Sequence, residues 1–414
     1  MTSPASSTTA PAHTQTHAHA SASRPTRPRS PRFPPHNAPR VWFLTNGTSP
    51  ISIALAEQAL DHGDYVVAGV LPAEFERETG RSDEFRGFLD KIGRGEGERE
   101  RWKERLRVVA LDGRIIGQCQ AAVAEAVEAF GRIDVLLGCS SETVIGTIEE
   151  LAQSPRTLSL ARDQFETNFF SNVNIIKAAL PSMRAKKNGH IIMLTGTTGH
   201  LGTPGLGLYC ASQWAIEGYC DSLAYEIAPF NIKMTIVQPN VEVNVLTNRI
   251  TSAPPLPEYA PDVNPAPLAR DLFSALLDKI DLRSAVPAEA AESASPPPSS
   301  SPPPGVDAPA PALSPGDLLS RPQITSLYPQ LDADIRARLI AETVHALTAI
   351  GGHDNPPARH IVGFEGVASV KEKLKTVSEE LEDFTEVSGA VDIVKVGAEA
   401  GGSVAGTPGE GGGM

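Results

Sequence analysis

Short apolar runs recur along the chain at residues 41–45, 65–71, 108–111, 133–137, 190–194 and 232–238. Between them lie stretches with apolar residues at helical spacing, at 53–62, 116–130, 164–185 and 214–227. Runs this short and this continuously apolar read as strands covered on both faces. Strands alternating with amphipathic helices predict a parallel sheet with helices on either side, a doubly wound α/β architecture. In such sheets ligands bind beyond the carboxyl ends of the strands, where the strand order reverses. Function is therefore sought in the turns after 45, 112, 138 and 194.

The flanks have a different character. Residues 1–39 combine Ser, Thr, Pro, Ala and His with Arg24, Arg27, Arg29 and Arg32, and contain no acid. A segment so poor in apolar residues cannot bury a core and is expected to be disordered. Its Arg-rich, acid-poor character also matches a mitochondrial transit peptide, but Pro25, Pro28, Pro31, Pro34 and Pro35 break any helix there. A cytoplasmic location is expected, with a mitochondrial one as the alternative. His13, His17 and His19 reflect composition rather than a metal site, and no metal is expected elsewhere.

The ordered domain is expected to run over 40–250, with a charged insertion of solvated helices at 73–106. A Pro/Ala/Ser-rich insertion follows at 251–329, with a helix over 268–282 inside it. Helix, strand and helix signals return over 330–388 and complete the domain, before a Gly-rich tail at 389–414. The net charge of -13 excludes a general nucleic-acid binder, and no apolar run reaches the ~20 residues of a membrane span. Cys119, Cys139, Cys210 and Cys220 lack metal or disulfide spacing and read as buried thiols.

The most informative run is Thr195-Gly196-Thr197-Thr198-Gly199-His200, followed by Tyr209-Cys210-Ala211-Ser212-Gln213. With Ile216-Glu217-Gly218 and Ser222-Leu223-Ala224-Tyr225-Glu226, it resembles the short-chain dehydrogenase/reductase family. Asn355-Pro356-Pro357-Ala358-Arg359-His360-Ile361-Val362-Gly363 resembles the last-strand region of that family's steroid/retinol-type branch. The resemblance implies a Rossmann-like fold and hydride transfer between NAD or NADP and a small lipophilic alcohol or ketone. It also implies homodimers built on the helices over 163–185 and 212–227.

By the same resemblance, Tyr209 is the proton-transferring phenol, and Thr197 the hydroxyl that orients the substrate, unless the loop length puts Gly196 there. Thr197 also reads as an ordinary strand-end turn. Asn168 matches a helix Asn that holds a relay water, or else bridges helix and strand. The family's Lys, one helical turn after the Tyr, is here Gln213, which cannot stabilise a phenolate by charge. The cofactor loop maps to Thr45, Asn46, Gly47, Thr48, Ser49, Pro50, Ile51 and Ser52, with the three glycine places filled by Asn46, Pro50 and Ser52. Thr48 and Ser49 retain donors for phosphate, while Pro50 removes one. Gly138-Cys139-Ser140-Ser141 replaces Asn-Asn-Ala-Gly, Asp112 matches the adenine contact, and Pro239-Asn240 replaces Pro-Gly, with Asn244 near the carboxamide. Leu71 stands where an acid or base would choose between NAD and NADP, so neither is favoured; Arg77 lies in reach.

Two readings follow. One is an NAD(P)-dependent oxidoreductase whose hydride transfer is weak or lost; the other is a non-catalytic relative kept for regulation or scaffolding. The joint drift at Gln213, the cofactor loop and Gly138–Ser141 favours loss of chemistry.

Overall fold

A computed structural model describes residues 33–36, 38–76, 80–94, 101–284 and 314–389. The readings on the first 32 residues, Arg77, the proline runs at 296–302 and 308–312, and the end beyond Gly389 lie outside them. In chain order the strands among the described residues are β1 (Val41–Leu44), β2 (Tyr65–Val70), β3 (Leu106–Ala110), β4 (Val135–Gly138), β5 (Glu142–Ile145), β6 (Gly189–Leu194), β7 (Ile232–Gln238), β8 (Arg249–Ser252), β9 (Thr325–Leu327) and β10 (Arg359–Ile361).

Seven of them form one parallel sheet in the order β10-β7-β6-β4-β1-β2-β3. This is the Rossmann-like α/β fold expected from the alternation. The order reverses between β1 and β4, which pair through Trp42–Val135, Phe43–Leu136 and Leu44–Leu137.

The two-residue period of β1 divides its side chains between two cores. Trp42 and Leu44 enter the cluster shared with helices Pro50–His62, Gly80–Arg94 and Ala333–Ile350. Val41 and Phe43 enter the opposite cluster, shared with Ile116–Phe130, Ser171–Lys186 and Gly207–Ile227. Both faces of the sheet are thus sealed, which is why the strands read as unbroken apolar runs. The four cysteines are buried and free. Among the described residues no helix is long and apolar enough to cross a membrane.

Two regions differ from expectation. The charged excursion at 73–106 is not simply solvated, because helix Gly80–Arg94 buries Phe85, Phe88 and Ile92, spaced as one helical face, against helix Pro50–His62. The stretch at 251–329 contributes more than a helix. Helix Ala269–Ser284 forms, and β9 then pairs antiparallel with β8, while β8 pairs in parallel with β5, making a second three-stranded sheet. Asp278 accepts from Ser314 Oγ at 2.7 Å and from the Gly316 N–H at 3.2 Å, fastening helix Ala269–Ser284 to helix Pro315–Leu319.

Candidate active site

The turn after β1 is tied to the turn after β4 by Thr45. Its N–H donates to Leu137 O at 3.1 Å, and its Oγ1 accepts from the N–H groups of Cys139 (2.9 Å) and Ser140 (3.2 Å). Gly47 donates to Gly69 O at 2.7 Å, and a Cβ there would lie 2.8 Å from that of Ala68. Glycine at 47 therefore serves the close crossing over β2. Ser49 caps helix Pro50–His62, its Oγ accepting from the Ser52 N–H at 3.1 Å, with Pro50 in the first turn. Ile51 is buried in the core below.

Beyond these turns the cleft is crossed by the chain's own charged side chains. Arg81 reaches in from helix Gly80–Arg94 and donates through Nε to Thr48 O (3.2 Å) and through its terminal nitrogen to Asn46 Oδ1 (2.9 Å). Its guanidinium lies 5.1 Å from the Tyr328 ring centroid. Glu74 Oε2 accepts from Thr48 Oγ1 at 3.1 Å, and Glu74 Oε1 accepts from the Tyr328 hydroxyl. Burial, then the Glu74 charge, push the Tyr328 phenol well above its ordinary value, so it stays a donor.

On the other wall Arg249 pairs with Glu142, which also accepts from Thr167 Oγ1 at 3.3 Å. Asp112 has both oxygens taken by Arg114, at 2.8 and 2.7 Å. Those hydrogen bonds hold its carboxyl below the usual range. The cleft that remains is about 100 Å³, lined by these residues with Leu71, Ser140, Ser141 and Ser171.

The proton-transfer frame lies behind that cleft. Tyr209 is fully buried near the start of helix Gly207–Ile227 and is not part of the cleft lining. Its hydroxyl has Ser141, Asn244 and Thr143 around it yet makes no hydrogen bond, and the Ser141 and Thr143 hydroxyls are unpartnered too. Burial raises the phenol strongly, so the phenolate is disfavoured. Gln213 is buried one helical turn on and supplies no charge.

Asn168, in a π-helical turn over Glu166–Phe170, bridges strand and helix. Its Oδ1 accepts from the Glu142 N–H (2.8 Å), and its Nδ2 donates to Glu142 O (3.0 Å) and Ser212 Oγ (3.1 Å). Thr197 donates its N–H to Pro239 O at 3.1 Å and packs its methyl towards Gly366, at the start of helix Phe364–Asp383. Gly196 is required by Asn244, whose amide donates to Thr195 O and would meet a Cβ on Gly196. A Cβ on Gly138 would meet the end of the Met193 side chain at 2.6 Å, which would have to shift.

Sequence reasoning placed Thr45, Gly47, Thr48, Ser49, Gly138 and Asp112 around the switch point, and they do gather there. It missed Glu74, Arg81, Glu142, Arg249 and Tyr328. Of these, only Arg81 carried a usable signal, since it lies on the helix whose Phe85 and Phe88 point to the core.

A family profile described as short chain dehydrogenase matches residues 94–252. "Oxidoreductase BOA17" of Botryotinia fuckeliana is 33% identical over 201 residues, covering 48% of this chain and 65% of that protein. The chain belongs to the short-chain dehydrogenase/reductase family. Human retinol dehydrogenase 8 is 30% identical over 160 residues, 38% of this chain and 48% of that one, in keeping with the retinol-type branch. The matched stretches thus span from about half to just under two thirds of these relatives. A short-chain dehydrogenase crystal structure from Streptomyces avermitilis shares the fold, with a TM-score of 0.56 and 22% identity over 86% of this chain and all of that one. The profile match begins past the Thr45–Ser52 turn.

Family membership points to NAD(P) as the dinucleotide such a fold serves, and neutral Leu71 favours neither form. The residues as folded here do not fit that group. Ligand pockets of drug-sized molecules occupy roughly 300–1,000 Å³, several times the present cleft of about 100 Å³. A carboxylate, Glu74, holds the Thr48 donor that a phosphate would need.

Proposed function

We propose that this chain is a short-chain dehydrogenase-fold oxidoreductase relative whose hydride transfer is weak or lost, acting chiefly by binding. One observation carries the reading: Glu74 sits on the Thr48 hydroxyl at the turn after β1, a negative charge where the family's cofactor brings more negative charge. Gln213 supports it, because a buried phenol with no cation beside it gives up its proton at high cost. The test is titration of the purified chain with NADPH and NADH, followed by nicotinamide fluorescence and thermal stability. No binding at millimolar dinucleotide is expected; tight binding to either would overturn the reading.

A second reading is favoured by a different observation. The unpartnered hydroxyls of Tyr209, Ser141 and Thr143 converge on one buried point. Buried polar groups are normally satisfied; an alcohol oxygen, accepting from two of these hydroxyls and donating to the third, would satisfy all three, and a carbonyl oxygen two of them. That supports an NAD(P)-dependent oxidoreductase of a lipophilic alcohol or ketone, the chemistry named in retinol dehydrogenase 8 and in the 3-ketodihydrosphingosine reductase of Bacteroides thetaiotaomicron. Turnover of a long-chain ketone with NADPH would establish it.

A further inference from the structure

At the opposite end of the sheet from the cleft, where the chain enters β1 and β2, His36, His62 and Asp64 bring one ligand atom each within 4.8 Å of one another. His36 Nε2 lies 3.6 Å from Asp64 Oδ1, and His62 Nδ1 lies 3.4 Å from Asp64 Oδ2. We propose that these three side chains form a structural site for a divalent transition metal of the zinc type, completed by water, which fastens the segment before β1 to the end of helix Pro50–His62.

The tautomer of His36 is set by the backbone beside it. Its Nδ1 faces the Ala38 carbonyl oxygen, which can only accept, so Nδ1 holds the proton. The buried Nε2 then presents a bare lone pair, without a hydrogen-bond partner, towards a carboxylate. Two acceptors facing one another call for a cation between them. A tetrahedral zinc with bonds of about 2.0–2.2 Å sets its ligand atoms about 3.3–3.5 Å apart, close to the two separations observed.

The surroundings are those that metal ligands require. Ligating histidines donate their other ring N–H to a carbonyl or carboxylate, as His36 does, and ligating carboxylates are themselves hydrogen-bonded. Asp64 is fully buried; its Oδ1 accepts from the Arg40 N–H at 2.9 Å and its Oδ2 from the Trp42 indole at 3.1 Å. Those donors fix the carboxylate; Oδ1 keeps a lone pair towards His36, while Oδ2 is also within hydrogen-bond distance of His62 Nδ1 (3.4 Å), the contact that a metal would replace. Phe33 stacks on His62 with centroids 4.0 Å apart, giving the site an apolar wall. The alternative occupant is a proton, which would make a plain imidazolium–carboxylate pair.

The test uses the full-length, tag-free chain stripped with chelator and titrated with Co2+, whose visible absorption reports tetrahedral nitrogen–oxygen ligation. Wild type is expected to take up one equivalent more than the His36→Ala/His62→Ala variant and to gain thermal stability with Zn2+. The histidines of the first 32 residues are present in both and cancel. Asp64 is left intact because it also anchors Arg40 and Trp42. If the double variant does not fold, diethyl pyrocarbonate modification of His62 in wild type decides the matter. Protection by Zn2+ supports the site, and equal modification with and without metal overturns it. Equal Co2+ uptake by the two proteins, or stability that responds to pH but not to metal, also overturns it.

Discussion

Replacing Glu74 by Gln should open the cleft to phosphate-bearing ligands. Gln keeps the length of the side chain and an oxygen that accepts from Thr48 Oγ1, now at 3.1 Å from Glu74 Oε2, so the local fold is retained. What disappears is one negative charge. A phosphate oxygen that took the Thr48 hydroxyl would lie about 4 Å from that carboxylate, where two like unit charges repel by about 1 kcal/mol in water and about 4 kcal/mol at an effective dielectric constant near 20. Glu74 is half-buried at the edge of the cleft, so the lower half of that range applies, about 1–2.5 kcal/mol. Since 1.4 kcal/mol is a factor of ten, Glu74→Gln should tighten NADPH or NADH binding about five- to sixty-fold. Fluorescence titration at two salt concentrations reads it, and the gain should shrink as salt rises. Nicotinamide riboside, which has no phosphate, serves as the control and should bind both proteins alike. Unchanged dinucleotide affinity in a well-folded Glu74→Gln protein would refute the charge argument and leave the small volume of the cleft as the obstacle.

Gln213→Lys alone should leave turnover of a simple ketone at background, because the cleft stays shut; combined with Glu74→Gln it should raise turnover at least ten-fold in a steady-state NADPH assay. Asn168→Ala removes hydrogen bonds to Glu142 and Ser212 and leaves buried groups unpaired, so urea denaturation should show a loss of about 2–4 kcal/mol. An unchanged midpoint would return Asn168 to a purely chemical role. His190 is buried neutral, its Nδ1 accepting from the Gly352 N–H at 3.0 Å, and burial lowers its pKa to about 3. A base whose folded pKa is depressed binds its proton first in the unfolded chain, so stability should fall as pH drops from about 6.5 towards 3, by up to ~1.4 kcal/mol per pH unit. His190→Gln should remove that slope from denaturation midpoints measured between pH 4 and 7.

The sheet was legible because its strands are buried on both faces, which strips them of alternation and leaves plain apolar runs such as those around Phe43 and Ile192. The switch-point turns were legible because Thr45 and Asp112 sit at strand ends. What closes the cleft was not. Tyr328 meets Glu74 across 254 residues of sequence, and neither lies in a periodic segment that would reveal its direction. Thr197 shows a subtler failure: its position follows from the chain, but its methyl packs towards Gly366, in a helix far along the sequence. For Asn168 the sequence allows either relay or bridge, and the contacts with Glu142 and Ser212 show the bridge.

The clasp at Asp278 makes one carboxylate a hinge-pin for the wall of the cleft. Ser314 and Gly316 are held to helix Ala269–Ser284 directly, so the segment that leads into β9 and on to Tyr328 starts from a point fixed by that side chain. A residue remote from the cleft thus helps to keep the Tyr328 hydroxyl over Glu74.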